Sequence, residues 1–176
     1  MAVYIALLRG VNVGQNILKM ERLRALCADL GLDNVRTYVQ SGNVVFQAQA
    51  SASHWAQALE RKLIGESRLP VTVIVRTAAE MAKVEAGNPF LKEKEIDTAR
   101  LAVSFLQQTP AKAALDALRA LKIGSERFHH AGKEIYLHCP DGFANAKLYT
   151  LDKVLAQRTT TRNWNTVKKL REMSAE

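Results

Sequence analysis

The sequence predicts an α/β (α+β) protein: two ferredoxin-like α-β plait modules packed together, with a C-terminal helix. Three observations predict it. Apolar or alternating segments of strand length are interleaved with segments of helical period in the order β-α-β-β-α-β. A similar order restarts after the charged connection Lys92-Glu93-Lys94-Glu95. The composition, 48% hydrophobic and only 6% aromatic, is that of an ordinary globular chain. The modules are placed at residues 1–90, a βαββαβ unit with a following short helix, and 100–176, a plait-like βαββα unit with a C-terminal helix.

Residues 3–9 are almost entirely apolar, as in a strand buried on both faces. From Met20, the apolar positions Leu23, Leu26, Cys27 and Leu30 form a helical stripe that Gly31 ends, which makes Cys27 a core residue. Residues 35–40 and 44–47 are strands joined through the turn Ser41-Gly42-Asn43. Trp55, Leu59 and Leu63 mark a second helix, and residues 70–76 a further strand opened by Pro70. Thr77 and Glu80 have capping-box spacing for the next helix, which Asn88-Pro89 stops. In the second half, residues 101–106 form a strand. A helix from Thr109-Pro110 carries Leu115, Leu118 and Leu121 and closes at Gly124. Residues 127–130 and 134–138 form a hairpin through Ala131-Gly132, and Leu148, Leu151, Val154 and Leu155 mark another helix. The last helix is expected to start near Thr160-Thr161, with Trp164, Val167 and Leu170 on one face, where the first module has its fourth strand.

The first residues carry no basic leader segment, and no run of apolar residues reaches membrane-spanning length, so the expectation is a cytoplasmic protein with no membrane partner. The charge balance is basic, 25 Lys and Arg against 17 Asp and Glu. The excess sits at the two ends: +4 over residues 1–76, zero over 77–146 and +4 over 147–176. If the ends meet, they form one positive surface able to attract phosphates.

Two polar concentrations stand out. The connection Gly10-Val11-Asn12-Val13-Gly14-Gln15-Asn16 is long for a strand-to-helix loop, and long loops are more often functional. In a plait the first and second strands run parallel, so Arg9 and this loop should lie at the same edge as Gln40-Ser41-Gly42-Asn43. That edge would gather a guanidinium, amides, a hydroxyl and glycines that admit close approach of a ligand. A plainer reading makes Gly10, Gly14 and Gly42 turn residues and lets Asn12 and Asn43 tolerate left-handed backbone. The second concentration is Thr159-Thr160-Thr161-Arg162-Asn163-Trp164-Asn165-Thr166. Read as a helix start, it puts Arg162 where the helix dipole disfavours a cation by ~0.3–1 kcal/mol, as though an anion were expected there. The plainer reading has the threonines cap and Trp164 plug the core.

Arg9-Gly10-Val11-Asn12-Val13-Gly14, Thr37-Tyr38-Val39-Gln40-Ser41-Gly42-Asn43, Asn88-Pro89-Phe90 and Thr160-Thr161-Arg162-Asn163-Trp164-Asn165-Thr166-Val167 together resemble the largely bacterial domain-of-unknown-function family numbered 1697. The resemblance covers nearly the whole chain. It implies two ferredoxin-like modules and no particular activity. At Gly14-Gln15-Asn16 the sequence departs from the family's loop, which is richer in glycine and basic residues.

Other chemistry finds little support. His129 and His130 are neighbours on a strand and point to opposite faces, and His138 with Cys139 completes no zinc-ligand spacing, so no metal is expected. Ser41 has no sequence-adjacent histidine to activate it, and no cofactor motif occurs. Tyr4 and Phe46 sit on otherwise apolar strands, which argues against RNA stacked on the sheet face. The sequence therefore favours non-catalytic binding of a phosphate-bearing ligand, a nucleotide or nucleic-acid segment, by Arg9, Asn12, Gly14, Gln40, Ser41, Gly42 and Asn43 with Arg162, Asn163 and Trp164 from the last helix. The arginines would neutralise charge, the amides hydrogen-bond, and Trp164 stack if exposed. The alternatives are a small-molecule enzyme with a polar cleft between modules, and a structural or protein-interaction role.

Overall fold

The computed structural model describes residues 1–68, 70–149 and 151–176. The chain divides into two compact units, Met1–Lys83 with Leu170–Glu176, and Val84–Lys169. A division at residues 90 and 100 thus differs from the contacts at both ends of the second unit. The tail joins the first unit through Arg36, which donates to the Met173 carbonyl at 2.5 Å and pairs with the Glu176 carboxylate.

The first unit runs β1 (Ala2–Arg9), α1 (Met20–Asp29), β2 (Asp33–Tyr38), β3 (Asn43–Ala48), α2 (Ala52–Ser67) and β4 (Thr72–Thr77), followed by α3 (Ala78–Ala86). Its sheet has the order β2-β3-β1-β4, with antiparallel neighbours throughout. Tyr4, Ala6 and Leu8 of β1 face Leu23, Leu26 and Cys27 of α1 and Leu59 and Leu63 of α2 in one apolar core. Each such large aliphatic contributes about 1.5–3 kcal/mol on full burial. Ile5, Leu7, Val45 and Ile74 on the other face are buried too, which is why β1 reads as continuously apolar. The capping box closes α3: the Thr77 amide donates to the Glu80 carboxylate at 2.8 Å, and the Glu80 amide to Thr77 Oγ1 at 3.1 Å.

The second unit runs β5 (Leu101–Leu106), α4 (Lys112–Arg119), β6 (Arg127–Ala131), β7 (Glu134–His138), α5 (Asp152–Leu155) and β8 (Thr159–Asn163), and α6 (Trp164–Ala175) begins in it. Its sheet has the order β6-β7-β5-β8. Here the structure corrects the sequence reading. Residues 159–163 form a fourth strand rather than a helix start, paired with β5 from Ala102↔Asn163 to Leu106↔Thr159. Three consecutive β-branched threonines suit that edge position, so both units carry the full β-α-β-β-α-β order. Among the described residues no helix is long and apolar enough to cross a membrane.

Candidate functional site

The ten residues singled out from sequence fall seven in the first unit and three in the second. Within the first unit the expected edge forms. β1 and β2 both run antiparallel to β3, so their carboxyl ends meet on one side. There the loop after β1 and the turn before β3 are tied together: Asn12 Nδ2 donates to the Gln40 carbonyl at 2.6 Å and to the Leu18 carbonyl at 3.0 Å. The Leu18 amide returns a bond to Asn12 Oδ1 at 2.7 Å.

The same bonds change the roles of these amides. Both Nδ2 protons of Asn12 are engaged, and its backbone is left-handed, with φ 55°. Asn16 donates to the Gly10 carbonyl, and the Asn12 amide to the Asn16 carbonyl at 2.6 Å. Asn43, fully buried, donates to the Tyr38 carbonyl at 3.1 Å and to Ser41 Oγ at 2.8 Å. Asn12 and Asn43 therefore build the edge instead of presenting amides to a ligand. Gly42 also builds it: at φ +75° its amide plane lets its carbonyl accept from the Leu8 amide at 2.8 Å. A Cβ there would stand 2.6 Å from Val11 Cγ2 and 2.8 Å from Leu8 Cβ.

Of the other four, Arg9, Gln40 and Ser41 are exposed, with Ser41 Oγ accepting from Asn43, and Gly14 is at the open tip of the loop. The structure adds neighbours that sequence reasoning passed over. Gln15 and Lys19 are exposed on the loop, and so are the apolar Val13, Ile17 and Val39. Val39 has φ 48°, a left-handed conformation that a β-branched residue strongly resists. The available signal was an apolar residue inside a glycine- and asparagine-rich loop, where burial has no helix or strand to direct it.

In the second unit, Arg162, Asn163 and Trp164 have structural positions. Arg162 is in the edge strand β8 opposite Val103, 8% exposed, and not in a helix turn at all. The dipole argument for a bound anion therefore falls away. Its Nη1 donates to Thr160 Oγ1 at 2.8 Å and to the Thr161 carbonyl at 2.9 Å. Burial pushes its pKa down to about 10, against a smaller opposing effect of Tyr149, so it stays charged at neutral pH. Asn163 caps α6 by accepting the Thr166 amide at 2.9 Å. Trp164 is 2% exposed and has no face for stacking.

This arrangement recurs in the first unit. Arg76, 2% exposed, sits in β4 opposite Ile5 and donates to the carbonyl of the preceding Val75 at 3.2 Å, and the next residue, Thr77, caps α3. A buried arginine followed by a helix-capping residue thus ends the fourth strand of each plait. That repeat explains most of the Thr160–Thr166 motif without a ligand.

A further polar group lies in the second unit. Arg127 makes a bidentate pair with Glu93 at 2.8 Å for both bonds, and its Nε reaches His138 Nδ1 at 3.2 Å. Its guanidinium also lies 5.0 Å from the Phe90 ring centroid, which places the Asn88-Pro89-Phe90 motif against this cluster. Arg127 as donor requires the His138 Nδ1 lone pair, so the ring is neutral. Burial, then the Arg127 charge, hold the His138 pKa below its ordinary value, partly offset by Glu93 and Asp97. Unfolded chain consequently takes up this proton at higher pH than folded chain. The contribution to stability is present above ~6.5 and is lost as pH falls through the folded midpoint. An NMR titration should place the His138 midpoint below ~6.5, and Arg127→Ala should raise it; a midpoint at or above that of a free histidine contradicts the geometry.

Among the described residues no group of three or more His, Cys, Asp or Glu side chains could hold a metal ion. A pocket of about 380 Å³ at residues 123–126, 141–142 and 144–147 contains Glu126 and Asp141, but both are committed. Glu126 accepts the Lys147 and Leu148 amides at 2.9 and 2.8 Å, and Asp141 accepts the Ser125 hydroxyl at 2.7 Å. Cys27 and Cys139 are buried and free, with thiol pKa values pushed up by burial to about 12 and about 11. Tyr4 and Phe46 stack on each other inside the core, with centroids 5.6 Å apart, so the sheet face offers them to no base.

Comparison with known proteins bears on the family and the fold. Residues 1–136 match the family model described as Protein of unknown function (DUF1697). The fold is that of the conserved bacterial protein SP0830 from Streptococcus pneumoniae, with a TM-score of 0.80 and 21% sequence identity over 100% of this chain and 99% of that one. No curated protein matches the sequence.

Proposed function

The chain belongs to the DUF1697 family, and from that premise we propose that it is a binding protein for a phosphate-bearing ligand, a nucleotide or a nucleic-acid segment, at the loop edge of the first unit. The observation that carries this is the charge of the edge. Residues 9–20 contain Arg9 and Lys19 and no carboxylate, and residues 38–43 of the facing turn contain none either. Arg9, Lys19, Gln40 and Ser41 are exposed on segments that Asn12 fastens together. A preorganised, acid-free edge of this kind favours an anion and loses little entropy on binding one. The reading needs neither Trp164 nor Arg162. It goes with a cytoplasmic, reducing location, in keeping with two free buried cysteines.

Titration of a fluorescein-labelled oligothymidylate and a fluorescent adenine nucleotide at low salt tests the proposal. Binding of at least one is expected. For the oligonucleotide, Arg9→Ala and Lys19→Ala should each weaken binding and reduce the slope of log K against log salt by about one. No binding, or binding that both variants leave unchanged, overturns it.

A further inference from the structure

Leaving aside Met1, the three most exposed large apolar side chains among the described residues are Ile17 at 78%, Val13 at 68% and Val39 at 51%. All three belong to the two segments that meet at the loop edge. They are held out by construction. Val13 and Asn16 form an isolated antiparallel bridge, the Ile17 amide donates to the Gln15 carbonyl at 3.0 Å, and Leu18 is pinned to Asn12. Val39 keeps φ 48° next to Gln40, whose carbonyl Asn12 holds. These bonds set the loop backbone with its valine and isoleucine side chains outward. Exposed aliphatics on two segments that are hydrogen-bonded to each other point to a contact surface at this edge.

We infer that the ligand of this edge is a single-stranded nucleic-acid segment, its phosphates on Arg9 and Lys19 and its unstacked bases packed on Val13, Ile17 and Val39. The inference rests on the phosphate-ligand reading above. Charge selects the class of partner: the surrounding sequence brings cations and no carboxylate until Glu21, in the first turn of α1. A second copy of the chain would set like charges against each other. A bilayer surface is gripped by an amphipathic helix carrying Trp, Phe or Leu, whereas the exposed residues here lie outside any helix and no aromatic occurs in residues 9–19 or 39–42. A duplex hides its base faces, whereas a single strand presents both an anionic backbone and flat apolar faces. Exposed Gln15, Gln40 and Ser41 supply hydrogen-bonding groups for base edges.

The test compares four probes on the full chain: labelled oligothymidylate, an abasic strand of equal length, the matching duplex, and vesicles rich in phosphatidylglycerol. The variant pairs Ile17→Ser with Val39→Asn, an exposed change in which asparagine suits the left-handed backbone, and its unfolding midpoint confirms that it folds. The thymidine strand should bind about tenfold more tightly than the abasic strand, the gain from burying roughly 60 Å² of apolar surface, with the duplex weaker, and the double variant should erase that preference. Equal binding of thymidine and abasic strands, both weakened by Arg9→Ala, overturns the single-strand inference and leaves the phosphate reading standing. Vesicle binding that the double variant abolishes, without strand binding, overturns it in favour of a bilayer. Failure of both strands to bind, together with failure of the adenine nucleotide in the titration proposed above, overturns the phosphate reading itself.

Discussion

Replacing Trp164 by alanine is expected to lower the unfolding free energy by about 3–5 kcal/mol, the range for truncating a large buried aromatic. The side chain is 2% exposed at the first residue of α6, immediately after the asparagine that caps the helix. Truncation removes apolar burial and leaves a cavity at a junction that α6 and β8 share. Urea unfolding measures the loss. The same substitution separates two meanings of the Thr160–Thr166 motif. If Trp164 is a core plug, the milder Trp164→Phe variant, folded and titrated with labelled strand, binds as the parent does. A large loss of affinity with unchanged stability would instead make the indole a ligand contact, against its burial.

The second large effect is expected at Gly42. Gly42→Ala should cost about 2–4 kcal/mol, combining the left-handed backbone penalty with overpacking. The added Cβ would meet Val11 Cγ2 at 2.6 Å and Leu8 Cβ at 2.8 Å, and neither neighbour sits at the end of a long flexible side chain. The turn would have to move away from Leu8, whose amide donates to the Gly42 carbonyl. Because that movement also pulls Gln40 from Asn12, ligand affinity at the edge should fall along with the melting temperature. Unchanged stability by thermal unfolding would show that the turn is not packed as described.

These two residues also show how far the sequence could be read. The alternation of strands and helices in the first unit, the hairpin before Asn43 and the capping box at Thr77 depend on local pattern and turn chemistry, and they are legible. β8 is not, because its threonines, arginine and asparagine look like a helix start, and its burial comes from pairing with β5, more than fifty residues away. Once Arg162 lies in a sheet, its charge has no helix dipole to oppose. Asn12 and Asn43 were readable as either ligand contacts or turn builders; only their hydrogen bonds decide for the second. Val13, Ile17 and Val39 escaped notice because apolar residues are expected inside, and the hydrogen bonds that turn them outward are not legible in sequence.

The most direct measurement is a backbone amide NMR map of the protein titrated with oligothymidylate at low salt. Binding at the loop edge predicts that residues 9–19 and 38–42 shift together, with the Arg127 and Glu126 surroundings of the second unit unmoved. Shifts confined to the second unit, or none at saturating strand, would contradict the account and leave the edge as structure alone.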